Sequence, residues 1–421
     1  MRRAVITGLG VVAPGGIGVK AYWDLLTAGR TATRDITLFD ATGFRSRIAA
    51  ECDFDPLAAG LTAGQAGTLD RAAQFAVVSA REALADAGLA PGALPPERTA
   101  VSIGSAVGCT MSLERHYVRA SDHGRHWTVA HTTDADLHSY LVPSSIAREV
   151  AWDAGAEGPV SLLSNGCTSG LDAVRHGARL IEDGLADVVL AGASDAPISP
   201  ITSACFDAIK ATSPNNAEAA TASRPFDGRR DGFVLGEGAA VLVLESPERA
   251  AARDAPAYGV VAGGASRANA YHMTGLRADG REMAEAIRVA LGQARRDPSD
   301  VHYVNAHGSG TRQNDRHETA AFKASLGAHA YRVPVSSIKS MIGHSLGAVG
   351  ALELAACALV LRHHVVPPTA NLHRADPECD LDYVPVHARD RRVDTIVSVG
   401  SGFGGFQTAI VLTAPDGGVR R

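Results

Sequence analysis

Three short stretches carry side chains able to do chemistry, and a fourth offers backbone donors. Pro159 to Asp172 reads PVSLLSNGCTSGLD. An apolar run ends in Ser164-Asn165-Gly166, Cys167 follows, and Leu171, Val174, Ala178 and Ile181 then recur at helical spacing. The pattern puts the Cys167 thiol on a tight strand-to-helix turn, where the free N–H groups of the first helical turn favour thiolate over thiol. A buried structural cysteine is the alternative; the glycine before it and the small residues after it favour a nucleophile. NAHGSGT, Asn305 to Thr311, places His307 at the end of a buried strand inside a Gly-rich turn, and KSMIGHSLG, Lys339 to Gly347, places His344 at a helix start. Gly402-Phe403-Gly404-Gly405 is a loop with one aromatic among glycines.

Taken singly, each histidine fits a satisfied core imidazole as well as a catalytic one. Together with an exposed cysteine they point to one site. A cysteine hydrolase needs one histidine as base and an orienting amide. Two imidazoles that donate N–H bonds suit a different chemistry, in which they polarise a thioester carbonyl while an adjacent carboxylate leaves and an enolate forms.

These residues need strands to deliver them and helices to cap. Val301 to Ala306 reads as the strand before His307, and Val333 to Ile338 as the strand before Lys339; after His344 a helix runs through Val349, Leu352, Ala356 and Val360. Cys167-Thr168-Ser169-Gly170 and His344-Ser345-Leu346-Gly347 match: a reactive side chain, then Ser-x-Gly, at the start of an apolar helix. The strand Asp187 to Gly192 has a counterpart in Thr395 to Gly400. The expectation is an α/β protein of two similar halves, residues 1–250 and 251–421, whose helix starts meet at a shared site. The composition change near Ser246 to Pro256 marks the boundary.

In the first half, VITGLGVVAPGG looks like a strand and Gly-rich turn, but Ala13, Pro14 and the lack of an acidic residue closing a second strand exclude a dinucleotide fingerprint. A helix is expected around Tyr22 to Ala28 and a stronger one from Asp70 to Ala87, stopped by Gly88; Thr99 to Gly104 and Gly238 to Glu245 read as strands. Cys109 to Val142 reads as irregular, and four of its histidines (His123, His126, His131, His138) fit no metal spacing.

The chain has 421 residues, 46% of them hydrophobic, a net charge of −5 and no basic run, which argues against nucleic acid as a partner. The opening apolar stretch is too short for a signal segment, and no run reads as a membrane span. Six scattered cysteines without a CxxC pair fit free thiols in a reducing cytoplasm.

NGCTSG, NAHGSGT, KSMIGHSLGA and GFGG, in this order across essentially the whole length, resemble the β-ketoacyl-acyl-carrier-protein synthase family of the thiolase superfamily. AYHMTGL (Ala270 to Leu276), HGSGTRQNDRHETAA (His307 to Ala321) and VSVGSGFGGFQ are most similar to the ketosynthase α subunit of type II aromatic polyketide synthases. The resemblance implies a thiolase-like duplicated αβαβα layered fold and an acyltransferase of antibiotic-type polyketide biosynthesis. It implies that Cys167 takes the growing chain, with its own N–H and that of Phe403, flanked by Gly402 and Gly404, as oxyanion hole and gate. His307 and His344 would hold the malonyl thioester and stabilise the enolate, Lys339 paired with Glu318 would support them, and His272 and Thr274 would stand behind. Asn165 departs from the threonine or small residue common there. The implied partners are an acyl carrier protein, whose phosphopantetheine bears the substrates, and a chain-length-factor subunit in a heterodimer. No metal or other cofactor is implied.

A degradative thiolase would carry a second cysteine in the SGFGGF loop, and an initiating synthase an asparagine at His344. The non-catalytic partner subunit would lack Cys167. A fatty-acid elongating β-ketoacyl synthase II, a homodimer, shares the triad and is the nearest alternative.

Overall fold

Ten strands form the frame of the molecule in a computed structural model that describes residues 2–90, 92–126 and 137–415. They are β1 (Val5–Ala13), β2 (Thr99–Gly104), β3 (Val160–Leu163), β4 (Val188–Asp195), β5 (Gly238–Glu245), β6 (Gly259–Ala268), β7 (Tyr303–Asn305), β8 (Val335–Ser336), β9 (Thr395–Gly402) and β10 (Phe406–Thr413). Side by side they run β3-β2-β4-β5-β1-β6-β10-β9-β7-β8. Each strand of the first five has a counterpart five places later in the chain, at the mirrored position. The pairings match too: β2 lies parallel to β3 and β4, and β7 parallel to β8 and β9, while β4-β5-β1 and β9-β10-β6 are antiparallel. The two sides touch along β1 and β6 only at Val5–Val260 and Ile6–Gly259.

Five helices cover the strands: α1 (Arg71–Asp86), α2 (Ser169–Glu182), α3 (Arg281–Ala294), α4 (Arg312–Leu326) and α5 (Val349–His363). The strands are apolar on both faces, as layers buried on both sides require. In β5, Ala240, Leu242 and Leu244 point into one cluster with α2 and α5, and Ala239, Val241 and Val243 into another with Ala73, Val77 and Ala80 of α1. In β10, Ile410 and Leu412 join the α2–α5 cluster, while Ala409 and Val411 meet Met283 and Ile287 of α3 and Phe322 of α4. The layers are therefore helix, sheet, helix, sheet, helix, the thiolase-like arrangement expected. The central position of α5 explains why it is buried all round from Val349 to Leu361. The Leu346–His363 stretch, long and apolar enough to cross a membrane, is 89% buried between these sheets.

Two close approaches depend on glycine. Gly8 and Gly10 lie inside β1, where a Cβ would sit 2.2 Å from the Ala83 carbonyl oxygen and 1.9 Å from that of Ser79, so these glycines let α1 pack onto the strand. At the centre, a Cβ on Gly170 would sit 2.6 Å from the Ala351 nitrogen, and one on Gly350 would sit 2.8 Å from the Leu171 nitrogen. The first turns of α2 and α5 therefore cross backbone to backbone.

Local differences from the sequence reading have physical reasons. The segment expected to be irregular contains two helices, Thr110–Ala120 and Leu137–Leu141, the first starting after Cys109 with no side-chain cap to signal it; His131 lies outside the described residues. The strands before His307 and Lys339 shorten to β7 and β8, since their ends turn into the site. Asp70 is the N-cap of α1, accepting from the Ala72 N–H at 2.8 Å, and not its first residue.

Gly350→Val is expected to destabilise the fold by about 1–3 kcal/mol through overpacking. Gly292→Ala, in α3 with nothing within 4 Å of the new methyl, is expected to stabilise it by up to about 1 kcal/mol. Thermal denaturation of both variants checks this, and equal midpoints would contradict the crossing.

Candidate active site

The crossing of α2 and α5 brings two matching turns together. Each helix is preceded by a short 3-10 turn, Gly166–Thr168 before α2 and Leu346–Ala348 before α5. Cys167 stands on the first, and His344 precedes the second. His344 is pinned by its backbone: its N–H donates to the Val234 carbonyl at 2.7 Å, and its carbonyl accepts from the Gly236 N–H at 3.0 Å. His307 arrives from β7. Cys167, His307, His344 and Phe403 line one pocket of about 490 Å3. The two imidazoles meet edge to face with centroids 5.1 Å apart, and Phe233 packs edge-on against His344 at 5.3 Å.

A buried acid organises the cysteine turn. Asp172 accepts from Asn165 Nδ2 at 3.0 Å and Thr168 Oγ1 at 2.9 Å, and its other oxygen accepts from Thr408 Oγ1 at 3.0 Å. Ser169 Oγ accepts from the Asn165 N–H at 2.9 Å and donates to the Gly166 carbonyl at 2.6 Å. The Asn165 departure thus has a use here: its amide ties the turn to α2.

The His344 imidazole is set up as a donor. His344 Nδ1 accepts from the Leu346 N–H at 3.2 Å, which leaves its proton on Nε2, directed away from the backbone. Burial, and then the Lys339 ammonium, hold both imidazoles well below their ordinary range, with His344 adding to the effect on His307. Desolvation acts on Cys167 as well. Its thiol is pushed up to about 12, although Lys339 and the N–H groups of Phe403 and Cys167 pull the other way. Desolvation therefore opposes the helix start at this half-buried sulfur.

Lys339 and Glu318 differ from expectation. Lys339 does not pair with Glu318; its buried ammonium pairs with Glu353 of α5 and donates to the His307 carbonyl at 2.5 Å. Glu318 instead accepts the N–H groups of His307 at 2.7 Å and Gly308 at 2.6 Å. Burial and the neighbouring Asp315 lift the Glu318 carboxyl to about 8, and burial lifts that of Glu353 to about 7 against Lys339. The reason is geometric: α4 runs back under the His307 turn, while α5 passes beneath Lys339. Glu353 was not singled out from the sequence, yet a lone acid in the apolar run VGALELAACALV was a usable signal.

Phe403 sits at the tip of the β9–β10 hairpin, 39% exposed. A Cβ on Gly402 would lie 3.3 Å from the Cys167 nitrogen, so this glycine admits the hairpin to the cysteine turn. The Gly404 N–H donates to the Met273 carbonyl at 2.6 Å, joining the tip to the Ala270 to Leu276 loop. Thr274 of that loop lines the pocket. His272 is exposed, and its Nδ1 accepts from the Thr274 and Gly275 N–H groups at 3.1 and 2.9 Å. It shapes the loop and makes no direct contact with Cys167. Of the other cysteines, Cys109 is buried and Cys205 exposed.

Comparison with known proteins gives a consistent picture. Residues 1–250 match the β-ketoacyl synthase N-terminal domain and residues 258–373 the C-terminal domain. The chain is 68% identical to the tetracenomycin polyketide synthase ketoacyl synthase alpha subunit of Streptomyces glaucescens, over 98% of this chain and 97% of that one. It is 39% identical to the 3-oxoacyl-[acyl-carrier-protein] synthase 2 of Coxiella burnetii, over 98% of each. Among solved structures it superimposes with a TM-score of 0.92 and 38% identity on a type II ketosynthase complex with its acyl-carrier protein, bound to a hexaketide, covering 98% of this chain and 99% of that one. It also superimposes on the ishigamide ketosynthase/chain length factor, with a TM-score of 0.89 and 32% identity, covering 98% and 99%. The chain belongs to the β-ketoacyl synthase family, where it stands with the ketosynthase alpha subunits of type II polyketide synthases.

Proposed function

We propose that Cys167, His307 and His344 carry out a decarboxylative Claisen condensation that lengthens a polyketide chain by two carbons. The observation that carries this reading is the convergence of one thiol with two neutral imidazoles in a single pocket. Cys167 Sγ attacks the thioester carbonyl of an acyl chain on a carrier protein. The carrier thiol leaves with the proton that Cys167 gives up, and the chain becomes a Cys167 thioester. The Cys167 and Phe403 N–H groups hold the oxyanion of that step. A malonyl thioester then binds with its carbonyl against the histidines. Loss of carbon dioxide leaves an enolate, stabilised by imidazole N–H donors that cost no charge reorganisation. Its C2 attacks the Cys167 thioester, the new C–C bond forms, and the released Cys167 thiolate takes up one proton.

Lys339 and Glu318 do not react in this scheme. Lys339 holds the His307 carbonyl and Glu318 the His307 and Gly308 N–H groups. Phe403, with Gly402 and Gly404, gates the pocket between the two half-reactions, and Thr274 and His272 shape the loop that contacts the gate. Residues 1–250 supply the nucleophile and 251–421 the histidines; the repeated strand order supports that division. Substrates arrive on the phosphopantetheine of an acyl carrier protein, with no cofactor resident in the chain, and the partner is a chain-length-factor subunit, in the cytoplasm. A homodimeric fatty-acid elongating enzyme is the weaker reading, given the greater distance of the 3-oxoacyl synthase relative.

Co-expression with candidate chain-length-factor subunits, supplied with malonyl carrier protein, is expected to give an unreduced polyketide identified by its mass. Extension of saturated acyl chains by the chain alone, with no product from any pair, would favour the fatty-acid reading. In the same system, His307→Ala and His344→Ala are each expected to slow carbon dioxide release about a hundred- to a thousandfold, with acyl loading of Cys167 reduced far less. Single-turnover measurement of both steps checks this, and equal loss of both would contradict it.

A further inference from the structure

Asn314 has a place in the site that none of the roles above uses. It lies in the first turn of α4, 4% exposed, and lines the pocket. Its side-chain nitrogen donates to Glu318 Oε2 at 2.7 Å and to Asp315 Oδ1 at 3.3 Å. The amide must face this way, since turning it over would set its oxygen against two carboxylates. We propose that Asn314 is a positioning residue for His307: its amide bridges two buried carboxylates and keeps Glu318 engaged on the His307 and Gly308 N–H groups. This rests on the reading that His307 serves decarboxylation.

The physical need is plain. Asp315 and Glu318 are both fully buried, on one turn of one helix. Asp315 has Arg230 on its far side at 2.9 Å, and accepts from the Phe226 N–H at 2.8 Å. Glu318 has no cation in contact; Lys339, committed to Glu353 and the His307 carbonyl, acts on it only at a distance, and the Tyr383 hydroxyl is the other titratable group near it. Burial and Asp315 lift the Glu318 carboxyl while its N–H donors pull it back down, and Asn314 supplies the one donor that is not part of the turn it holds. Without it, Oε2 keeps only the Gly308 N–H, and protonating that oxygen costs the turn an acceptor. The His307 backbone then loosens while the cysteine turn, built on Asp172, is untouched.

The test uses the reconstituted complex with carrier protein and reads two steps across pH: acylation of Cys167 by intact mass, and carbon dioxide release from malonyl carrier protein. Asn314→Ala is expected to leave acylation within about twofold and to slow carbon dioxide release about tenfold or more at neutral pH. Removing a donor raises the Glu318 pKa, so the acid limb of the release profile is expected to move to higher pH and activity to recover as pH rises. Asn314→Gln, which keeps an amide, is expected to fall between wild type and Asn314→Ala, and Asn314→Asp, which adds a third carboxyl, to shift the limb further. Should Asn314→Ala fail to fold, the order of the Gln and Asp limbs decides. Equal loss of both steps with an unmoved limb, or unchanged carbon dioxide release, overturns the proposal. A wild-type complex that acylates Cys167 but releases no carbon dioxide overturns the decarboxylation reading, and this inference with it.

Discussion

The contact between the first turns of α2 and α5 is the constraint on which the rest of the molecule depends. Two helices usually pack with axes 8–10 Å apart, separated by side chains. Here Gly170 and Gly350 remove the side chains at the crossing, and each would place a Cβ within 3 Å of the other helix's backbone. Two turns that stand far apart in the chain are thereby brought side by side, one with a thiol and one with an imidazole. The ten strands serve that contact. Their mirrored order puts equivalent strand ends on either side of it, and their apolar faces bury both helices in the middle layer.

At the centre of five layers the histidines, Lys339 and Glu318 are buried, and that dictates their electrostatics. Desolvation holds both imidazoles well below their ordinary range and pushes the Cys167 thiol up, and it makes every buried charge need a partner. Lys339 answers with Glu353, Arg230 with Asp315 and Asp376, and Glu318 with N–H donors. The arrangement suits chemistry in which charge appears only as the reaction proceeds. A neutral imidazole can strengthen its hydrogen bond to a forming enolate without having held a counter-ion beforehand.

Much of this was legible in the sequence because it depends on local signals. Cys167, His307 and His344 each sit beside glycine at the end of an apolar run, and the match between the Cys167 and His344 turns foretold the meeting of two helix starts. What escaped was set by tertiary contact. That Lys339 chooses Glu353 over Glu318 depends on which helix passes beneath it, and spacing along the chain does not encode that. The helix start that favours the Cys167 thiolate is a local signal, whereas the desolvation that opposes it comes from the packing around the turn. The Thr110–Ala120 helix starts after Cys109 with no side-chain cap, so no start signal announces it. The roles of Asp172 and Asn314 are not marked by local spacing, since their partners come from other elements or from adjacent acids.

The central claim is that the crossing presents Cys167, and no other thiol, to an acyl thioester. The direct measurement is to load the protein from an acyl carrier thioester, quench, digest and locate the added mass by peptide sequencing. The account predicts one acyl group on the peptide containing Cys167, absent in Cys167→Ala while the exposed Cys205 stays unmodified. Acyl mass on Cys205, or loading that persists in Cys167→Ala, would contradict it.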